Sequence, residues 1–113
     1  MLKVLNFKID NPTVELALAM VEIEIERCAY DGAKGIKVLH GYGSHGQGGA
    51  ILLELRKKLR LWKRAGKIKD FFAGDRWNMF DEKALELLKS DKSIYGDEDF
   101  NKANPGITII IVK

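Results

Sequence analysis

The run Ile107-Thr108-Ile109-Ile110-Ile111-Val112, near the C-terminal end, constrains the fold more than any other segment of the chain. β-Branched residues of this kind favour the extended backbone of a strand. A strand with one face in water alternates apolar and polar residues, whereas this run is apolar on both faces. It therefore predicts a final strand over Ile107–Val112 that is buried in a sheet.

Strands and helices alternate in the rest of the chain, where apolar residues recur either at every second position or at helical spacing. The predicted order is a strand over Leu2–Ile9, a helix over Pro12–Tyr30, a strand over Gly35–His40, a helix over Gly49–Ala65, a strand over Lys67–Phe72, a short helix over Asp81–Ser90 and the final strand. Strand–helix–strand units imply right-handed crossovers and parallel strands. The order β-α-β-α-β-(α)-β thus predicts an α/β fold with a mostly parallel, four-stranded mixed sheet.

The first predicted helix begins at the turn Asp10-Asn11-Pro12-Thr13. An Asp or Asn side chain there can accept the free amide hydrogens, and proline fits the first helical position. Gly32 is predicted to end the helix. Val21–Glu26 alternates like a strand, but the apolar stripe of helical spacing continues on both sides of it, so a helix is predicted.

Length and composition favour one small domain. The chain has 113 residues, 46% of them hydrophobic, which suits a single domain over residues 1–113. The only cysteine, Cys28, cannot form an internal disulfide and has no neighbouring cysteine or histidine that would suggest a zinc site. No apolar run is long enough to cross a bilayer. We therefore expect a cytoplasmic protein without a membrane partner.

Positive charge is concentrated in one segment. The net charge is only +3, yet residues 55–69 contain no acidic residue and eight basic ones: Arg56, Lys57, Lys58, Arg60, Lys63, Arg64, Lys67 and Lys69. Concentrated positive charge attracts polyanions through counterion release. The alternative is a solvated helix face that binds nothing. The candidate nucleic-acid contacts beside the apolar stripe of this helix are Lys57, Arg60, Lys63 and Arg64.

A glycine-rich loop precedes the basic helix. Five of the ten residues in His40–Gly49 are glycine, which lets a backbone approach a ligand closely. The carboxyl end of a strand followed by a helix N-terminus is where α/β folds bind phosphate. His40 and His45, the two histidines of the chain, are candidate acid/base groups near neutral pH. The candidate nucleic-acid contacts of the loop are Gly41, Tyr42, Gly43, Ser44 and Gly46.

Two well-known phosphate loops do not fit this sequence. No Gly-Lys-Ser/Thr ends the loop, which excludes a Walker A motif, and no acidic residue ends the next strand, which argues against a dinucleotide-binding fingerprint. The alternative to a binding loop is a flexible connection between strand and helix.

The pattern resembles the Smr (small MutS-related) domain family over nearly the whole chain. Lys37–Ser44 matches the family's histidine-glycine-any-glycine motif with its preceding strand, and Gly49–Arg56 matches the helix entry that follows. Thr13-Val14-Glu15 matches the start of the first helix, and Pro105–Ile110 matches the last strand. The resemblance implies a two-layer α/β sandwich similar to the C-terminal domain of translation initiation factor three. It also implies binding of DNA or RNA, which several members cleave.

The chain departs from that family pattern in two places. The first family motif, leucine-aspartate-any-histidine-glycine, falls on Phe7–Asn11, so that Lys8 replaces the aspartate and Asp10 the histidine. Asp10 is a candidate base or metal ligand, or alternatively a helix cap. The segment at about 75–104 is longer than a minimal domain of the family requires, and its acidic balance could cover one side of the sheet.

Three functions remain open from the sequence. The preferred one is a nucleic-acid-binding domain, acting through loop 40–49 and the basic helix, in which nuclease activity is weak or lost. The second is an active DNA or RNA endonuclease that uses His40 or His45 as its acid/base group. The third is a non-catalytic protein-interaction or nucleotide-binding module. No cofactor is predicted, although a divalent metal remains open.

Overall fold

The computed structural model describes residues 2–41 and 48–113. Its strands are β1 (Leu2–Asn6), β2 (Gly35–Leu39), β3 (Asp70–Ala73) and β4 (Ile107–Ile111). Its α-helices are α1 (Phe7–Asp10), α2 (Val14–Asp31), α3 (Gly48–Arg64) and α4 (Glu82–Ser90). Two 3₁₀ helices, Gly74–Arg76 and Lys92–Gly96, flank α4. Each predicted strand and helix is therefore present, and α1 is an addition.

The four strands form one mixed sheet in the order β1-β2-β4-β3. β1 pairs with β2 in parallel, and β4 pairs antiparallel with both β2 and β3. The α/β class and the four-stranded mixed sheet are thus confirmed, and three strands run in one direction. The expected mostly parallel pairing needs correction, because β4 separates β2 from β3 and leaves only β1 and β2 as parallel neighbours among the described strands.

The antiparallel insertion of β4 follows from the path of the chain between β3 and β4. Ala73 at the end of β3 pairs with Thr108 at the start of β4. Residues 74–106 therefore leave the sheet and return to it at the same end of the strands, next to β3. The return is tight at Gly74, where a Cβ atom would lie 2.1 Å from Ile107 Cγ1 and 2.2 Å from the Asn104 carbonyl oxygen. Only glycine fits so close to backbone.

The start of the first long helix differs from the prediction. β1 ends at Asn6, and the short helix α1 occupies Asp10 and the last three residues that the sequence assigned to the strand, Phe7–Ile9. Thr13, rather than Asp10 or Asn11, caps α2, because its hydroxyl oxygen accepts a hydrogen bond from the Leu16 amide at 3.2 Å. At the other end, Gly32 adopts a φ of 74° and ends α2 as predicted.

Helices α2 and α3 cover one face of the sheet. Val21 and Ile25 of α2 and Leu55 and Leu59 of α3 are buried in one cluster with three sheet residues: Ile36, Val38 and Ile110. This is the layer that a two-layer sandwich requires. The helical interpretation of Val21–Glu26 is also confirmed.

Residues 74–104 cover the opposite face, so the sheet carries helical cover on both sides. Trp77, Leu87, Leu88 and Ile94 pack with the other set of β4 side chains: Ile107, Ile109 and Ile111. The segment therefore adds a layer to the expected sandwich, and the prediction of a strand buried on both faces is confirmed.

A buried ion pair fastens this second cover to β2. Lys37 is only 2% exposed, and its Nζ lies 2.7 Å from Asp97 Oδ1 and 2.6 Å from Asp99 Oδ2. Trp77 Nε1 donates a hydrogen bond to Asp97 Oδ2 at 2.9 Å. Burial lowers the pKa of Lys37, but the two carboxylates raise it by more, so the pKa is above its ordinary value and the amine stays charged.

None of the helices within residues 2–41 and 48–113 has both the length and the apolar content that crossing a bilayer requires.

Candidate nucleic-acid interface

His40 lies directly after β2 and is 3% exposed. The backbone amides of His40 and Gly41 donate hydrogen bonds to the Gly106 carbonyl at 3.1 and 2.9 Å. These bonds hold the first residues of the glycine-rich loop against the turn that leads into β4.

The His40 ring is held at both nitrogens. Nδ1 lies 2.7 Å from the Gly41 carbonyl and Nε2 lies 2.8 Å from Thr108 Oγ1. A carbonyl can only accept, so Nδ1 carries the hydrogen, and the neutral ring accepts the Thr108 hydroxyl hydrogen at Nε2. Burial lowers the pKa of His40, and the nearby charge of Arg56 lowers it too. The hydrogen bond to Gly41 raises the pKa by less, so the pKa is below its ordinary value. His40 is therefore a neutral side chain whose ring nitrogens both have partners.

Lys8 lies beside the entrance of the loop. Gly41 has a φ of 75°, and a Cβ atom built on it would lie 3.8 Å from Lys8 Cγ. The end of β1 and the end of β2 are adjacent because these strands are parallel neighbours, so Lys8 and Gly41, which follow them, lie at the same end of the sheet. Asp10 is exposed at the end of α1. The ring partners of His40 are Gly41 and Thr108 rather than this carboxylate.

Five of the predicted site residues lie outside the described residues. They are Tyr42, Gly43, Ser44, His45 and Gly46, and their roles stay predictions.

Helix α3 separates its apolar and basic side chains as the sequence predicts. Ile51, Leu55 and Leu59 are buried under the sheet, while four predicted contacts, Lys57, Arg60, Lys63 and Arg64, are exposed. The Lys57 amine lies 3.0 Å from a Glu54 carboxylate oxygen. The described chain places no carboxylate within ion-pair distance of Arg60 or Arg64. These two guanidinium groups are therefore available to an external anion.

Arg56 also belongs to this surface, although it was not among the predicted contacts. Its side chain is half-buried, and burial lowers its pKa. The charge of Asp75 raises the pKa and the charge of Arg60 lowers it, so that the pKa is below its ordinary value. It stays protonated, since the ordinary pKa of Arg is far above neutrality. Its place four residues before Arg60, on the same side of the helix, is the sequence signal that indicates it.

A cleft of about 460 Å³ opens between the C-terminal half of α3, strand β3 and helix α4. Its lining has four cations, one carboxylate and one aromatic ring: Arg60, Lys63, Arg64, Lys83, Asp70 and Phe71. We call this group of six residues the cationic cleft. It brings together three predicted contacts with Lys83, which no sequence pattern connects to them.

Asp70 is the acidic member of the cationic cleft. One oxygen, Oδ1, lies 3.1 Å from Lys63 Nζ, 3.1 Å from Lys83 Nζ and 2.8 Å from the Phe71 amide nitrogen. Burial raises the pKa of Asp70, but these donors together lower it by more, so its pKa is below its ordinary value. The carboxylate is ionised near neutral pH and already partners two of the four cations.

Across residues 2–41 and 48–113, no three side chains of His, Cys, Asp or Glu are grouped so that they could hold a metal ion.

The fold and the site together define an α/β protein with a mixed sheet, a glycine-rich segment after a central strand and a basic helix that follows it. No family model matches the chain, and no curated protein matches it. Among solved structures, the crystal structure of the Smr domain of Thermus thermophilus MutS2 is similar, with a TM-score of 0.57 and 20% sequence identity. The similarity covers 99% of this chain and 96% of that one, so the chain has the fold of an Smr domain, as the sequence resemblance implied.

Proposed function

We propose that this chain binds DNA or RNA through loop 40–49 and the basic side of α3, and that its nuclease activity is weak or absent. The observation that carries the proposal is the pair of exposed guanidinium groups on α3, Arg60 and Arg64, which no described carboxylate neutralises. Guanidinium groups form paired hydrogen bonds with phosphate and stay charged at all relevant pH values. Counterion release makes several such contacts on one polynucleotide favourable.

The state of His40 supports weak or absent cleavage. A general base has to present a free nitrogen within hydrogen-bond reach of the proton that it removes. In this structure Nε2 accepts from Thr108 and Nδ1 donates to Gly41. Lys8 and Asp10 stand at the positions where the resembled family has aspartate and histidine, so the expected partner group has also changed.

The binding proposal is tested with fluorescently labelled single-stranded, duplex and branched DNA and RNA at low salt. We expect the double variant Arg60→Gln/Arg64→Gln to bind at least about tenfold more weakly than the wild type, since two phosphate contacts are lost. The matched control is Lys89→Gln/Lys92→Gln, which removes the same charge from exposed positions of the opposite cover. Equal losses in both double variants would show that only net charge matters and would contradict the proposal.

The cleavage proposal is tested with supercoiled plasmid and structured RNA, with and without magnesium. We expect little or no product from the wild type. Cleavage by the wild type that is lost in His45→Ala or in a folded His40→Ala protein would establish the endonuclease instead. Chemical-shift changes confined to residues 41–50 on addition of a mononucleotide, without binding of any polynucleotide, would favour the nucleotide-binding module.

We keep the cytoplasmic location as part of the proposal, and a single cysteine that cannot form an internal disulfide agrees with it. Cys28 is buried, and burial raises the pKa of its thiol to about 11, so the thiol is unreactive at neutral pH.

A further inference from the structure

We propose that the cationic cleft is a second phosphate-binding point for the same polynucleotide, and that Asp70 occupies it as an internal competitor when no ligand is bound. This inference rests on the proposed function and extends it to β3 and α4, which carry none of the predicted contacts. It also assigns Lys83 as a ligand-binding residue.

The charges of the cleft point to an anionic ligand. Among the described residues, four cations and one carboxylate line this open groove. Arg60 and Arg64 are exposed, while Lys63 and Lys83 both contact Asp70 Oδ1 at 3.1 Å. A phosphodiester that enters the groove would offer Lys63 and Lys83 a second anion, and it would contact the two arginines without displacing a carboxylate of the described residues. Such charge-assisted contacts are the strongest that phosphate makes with protein side chains.

Lys83 is positioned for this role by β3. Its Nζ donates to the Phe71 carbonyl at 3.2 Å and lies 6.0 Å from the centre of the Phe71 ring. Phe71 follows Asp70 in β3, so the edge strand of the sheet holds both the carboxylate and the ring against which the amine rests. These contacts hold the amine at the lining of the cleft.

The position of the cleft along α3 favours a polynucleotide over a small phosphate compound. α3 has 17 residues and begins at Gly48, within the last two residues of the glycine-rich loop 40–49. At a rise of about 1.5 Å per residue, the helix is about 25 Å long, and the cleft lies beside its last turns. A duplex spaces the charges of each strand about 3.4 Å apart, so about seven base pairs span the length of α3. A free phosphate ion cannot contact both ends of the helix at once.

The variant Asp70→Asn separates this role from a structural one. Asparagine keeps an Oδ1 that can accept from the Phe71 amide, but it removes the charge that partners Lys63 and Lys83. With a DNA hairpin whose stem has about twelve base pairs as the probe, we expect Asp70→Asn to bind about three- to tenfold more tightly, with a salt slope steeper by about one unit. Unchanged or weaker binding by a folded Asp70→Asn protein would overturn the proposal.

Lys83→Gln is the complementary variant, and Lys89→Gln on the same helix is its control. We expect Lys83→Gln to weaken binding of that hairpin about three- to tenfold and to reduce the salt slope by about one unit, and Lys89→Gln to have neither effect. Thermal unfolding of each variant shows that the binding assay is done on folded protein. Equal binding by Lys83→Gln and wild type would overturn the assignment of Lys83.

Two further comparisons distinguish a small phosphate ion from a polynucleotide, and failure of the cleft proposal from failure of the proposed function. Inorganic phosphate is added to the hairpin complex and compared with sodium chloride at matched ionic strength. If phosphate displaces the hairpin and chloride does not, the cleft is a small-anion site, and the assignment to a polynucleotide is overturned. If no polynucleotide binds to the wild type, the proposed function itself fails. If the hairpin binds and responds to Arg60→Gln/Arg64→Gln but not to the Asp70 and Lys83 variants, the proposed function stands and the cleft proposal fails.

Discussion

The ring of His40 and the hydroxyl of Thr108 form a buried hydrogen bond of 2.8 Å between the end of β2 and the start of β4. The two residues are 68 positions apart in sequence. Together with the amide bonds to Gly106, this contact holds the first residues of the glycine-rich segment against the central strand of the sheet. The histidine at the position of the resembled family motif is here buried, and both of its ring nitrogens have hydrogen-bond partners.

Replacing Thr108 by valine should therefore destabilise the fold. The side chains have the same shape, but Nε2 of His40 would lose its donor while it stays buried, and an unsatisfied buried acceptor costs about 1–3 kcal/mol. Denaturant unfolding measures the loss, and Thr108→Ser, which keeps the hydroxyl, should lose less. A Thr108→Val protein as stable as the wild type would contradict this account of His40.

The free energy of unfolding should also decrease as the pH is lowered, because His40 titrates. Its pKa in the folded protein is below the ordinary 6.5, so below pH 6.5 the unfolded chain binds a proton that the folded protein does not. The stabilisation of the folded protein by neutral His40 is fully present above pH 6.5. It is lost as the pH falls toward the lower pKa that His40 has in the folded protein. Unfolding free energies at about pH 7.5 and 5.5 should differ more for the wild type than for His40→Gln. An equal difference in both proteins would contradict the prediction.

Lys37→Met should be among the most damaging substitutions in the strands. The variant would leave Asp97 and Asp99 without the amine that they share, and breaking a buried ion pair costs about 3–5 kcal/mol. Lys69→Met removes an exposed pair with Glu86 and should change the free energy of unfolding by less than about 1 kcal/mol. Similar losses in the two variants would show that the buried cluster does not fasten residues 74–104 to β2.

Gly74→Ala tests the tight return of the chain beside β4. The added Cβ atom would lie 2.2 Å from a backbone oxygen that cannot move independently, so we expect a loss of about 1–3 kcal/mol or more. Gly96→Ala is the matched control, because its Cβ atom meets nothing within 4 Å, and its effect should stay within about 0.5 kcal/mol. Thermal or urea unfolding of both variants makes the comparison.

Local patterns in the sequence predicted the elements well. The apolar run Ile107–Val112 predicted a strand covered on both faces, and the stripe through Leu55 and Leu59 predicted the buried side of α3. Boundaries were less accurate where a side chain decided them: Thr13 caps α2 although Asp10 and Asn11 are also good caps. The competition among neighbouring caps depends on backbone geometry that the sequence does not display.

The site depends on contacts between distant residues, which local patterns do not contain. Lys37 looked like an ordinary charged residue in a strand, but Asp97 and Asp99, 60 and 62 positions away, make its burial possible. The cationic cleft combines α3 with Lys83 of α4 only because both lie beside the edge strand β3. The antiparallel position of β4 could not be predicted either, since strand propensity does not encode between which two strands the chain returns.

The central claim, binding of a polynucleotide by the basic side of α3, is tested most directly by the salt dependence of Kd for the wild-type protein. If Arg60, Lys63, Arg64 and the glycine-rich segment each contact phosphate, a plot of log Kd for a twelve-base-pair hairpin against log salt should have a slope of about 3 to 4. Binding that is undetectable at low salt, or that has a slope near zero, would contradict the claim.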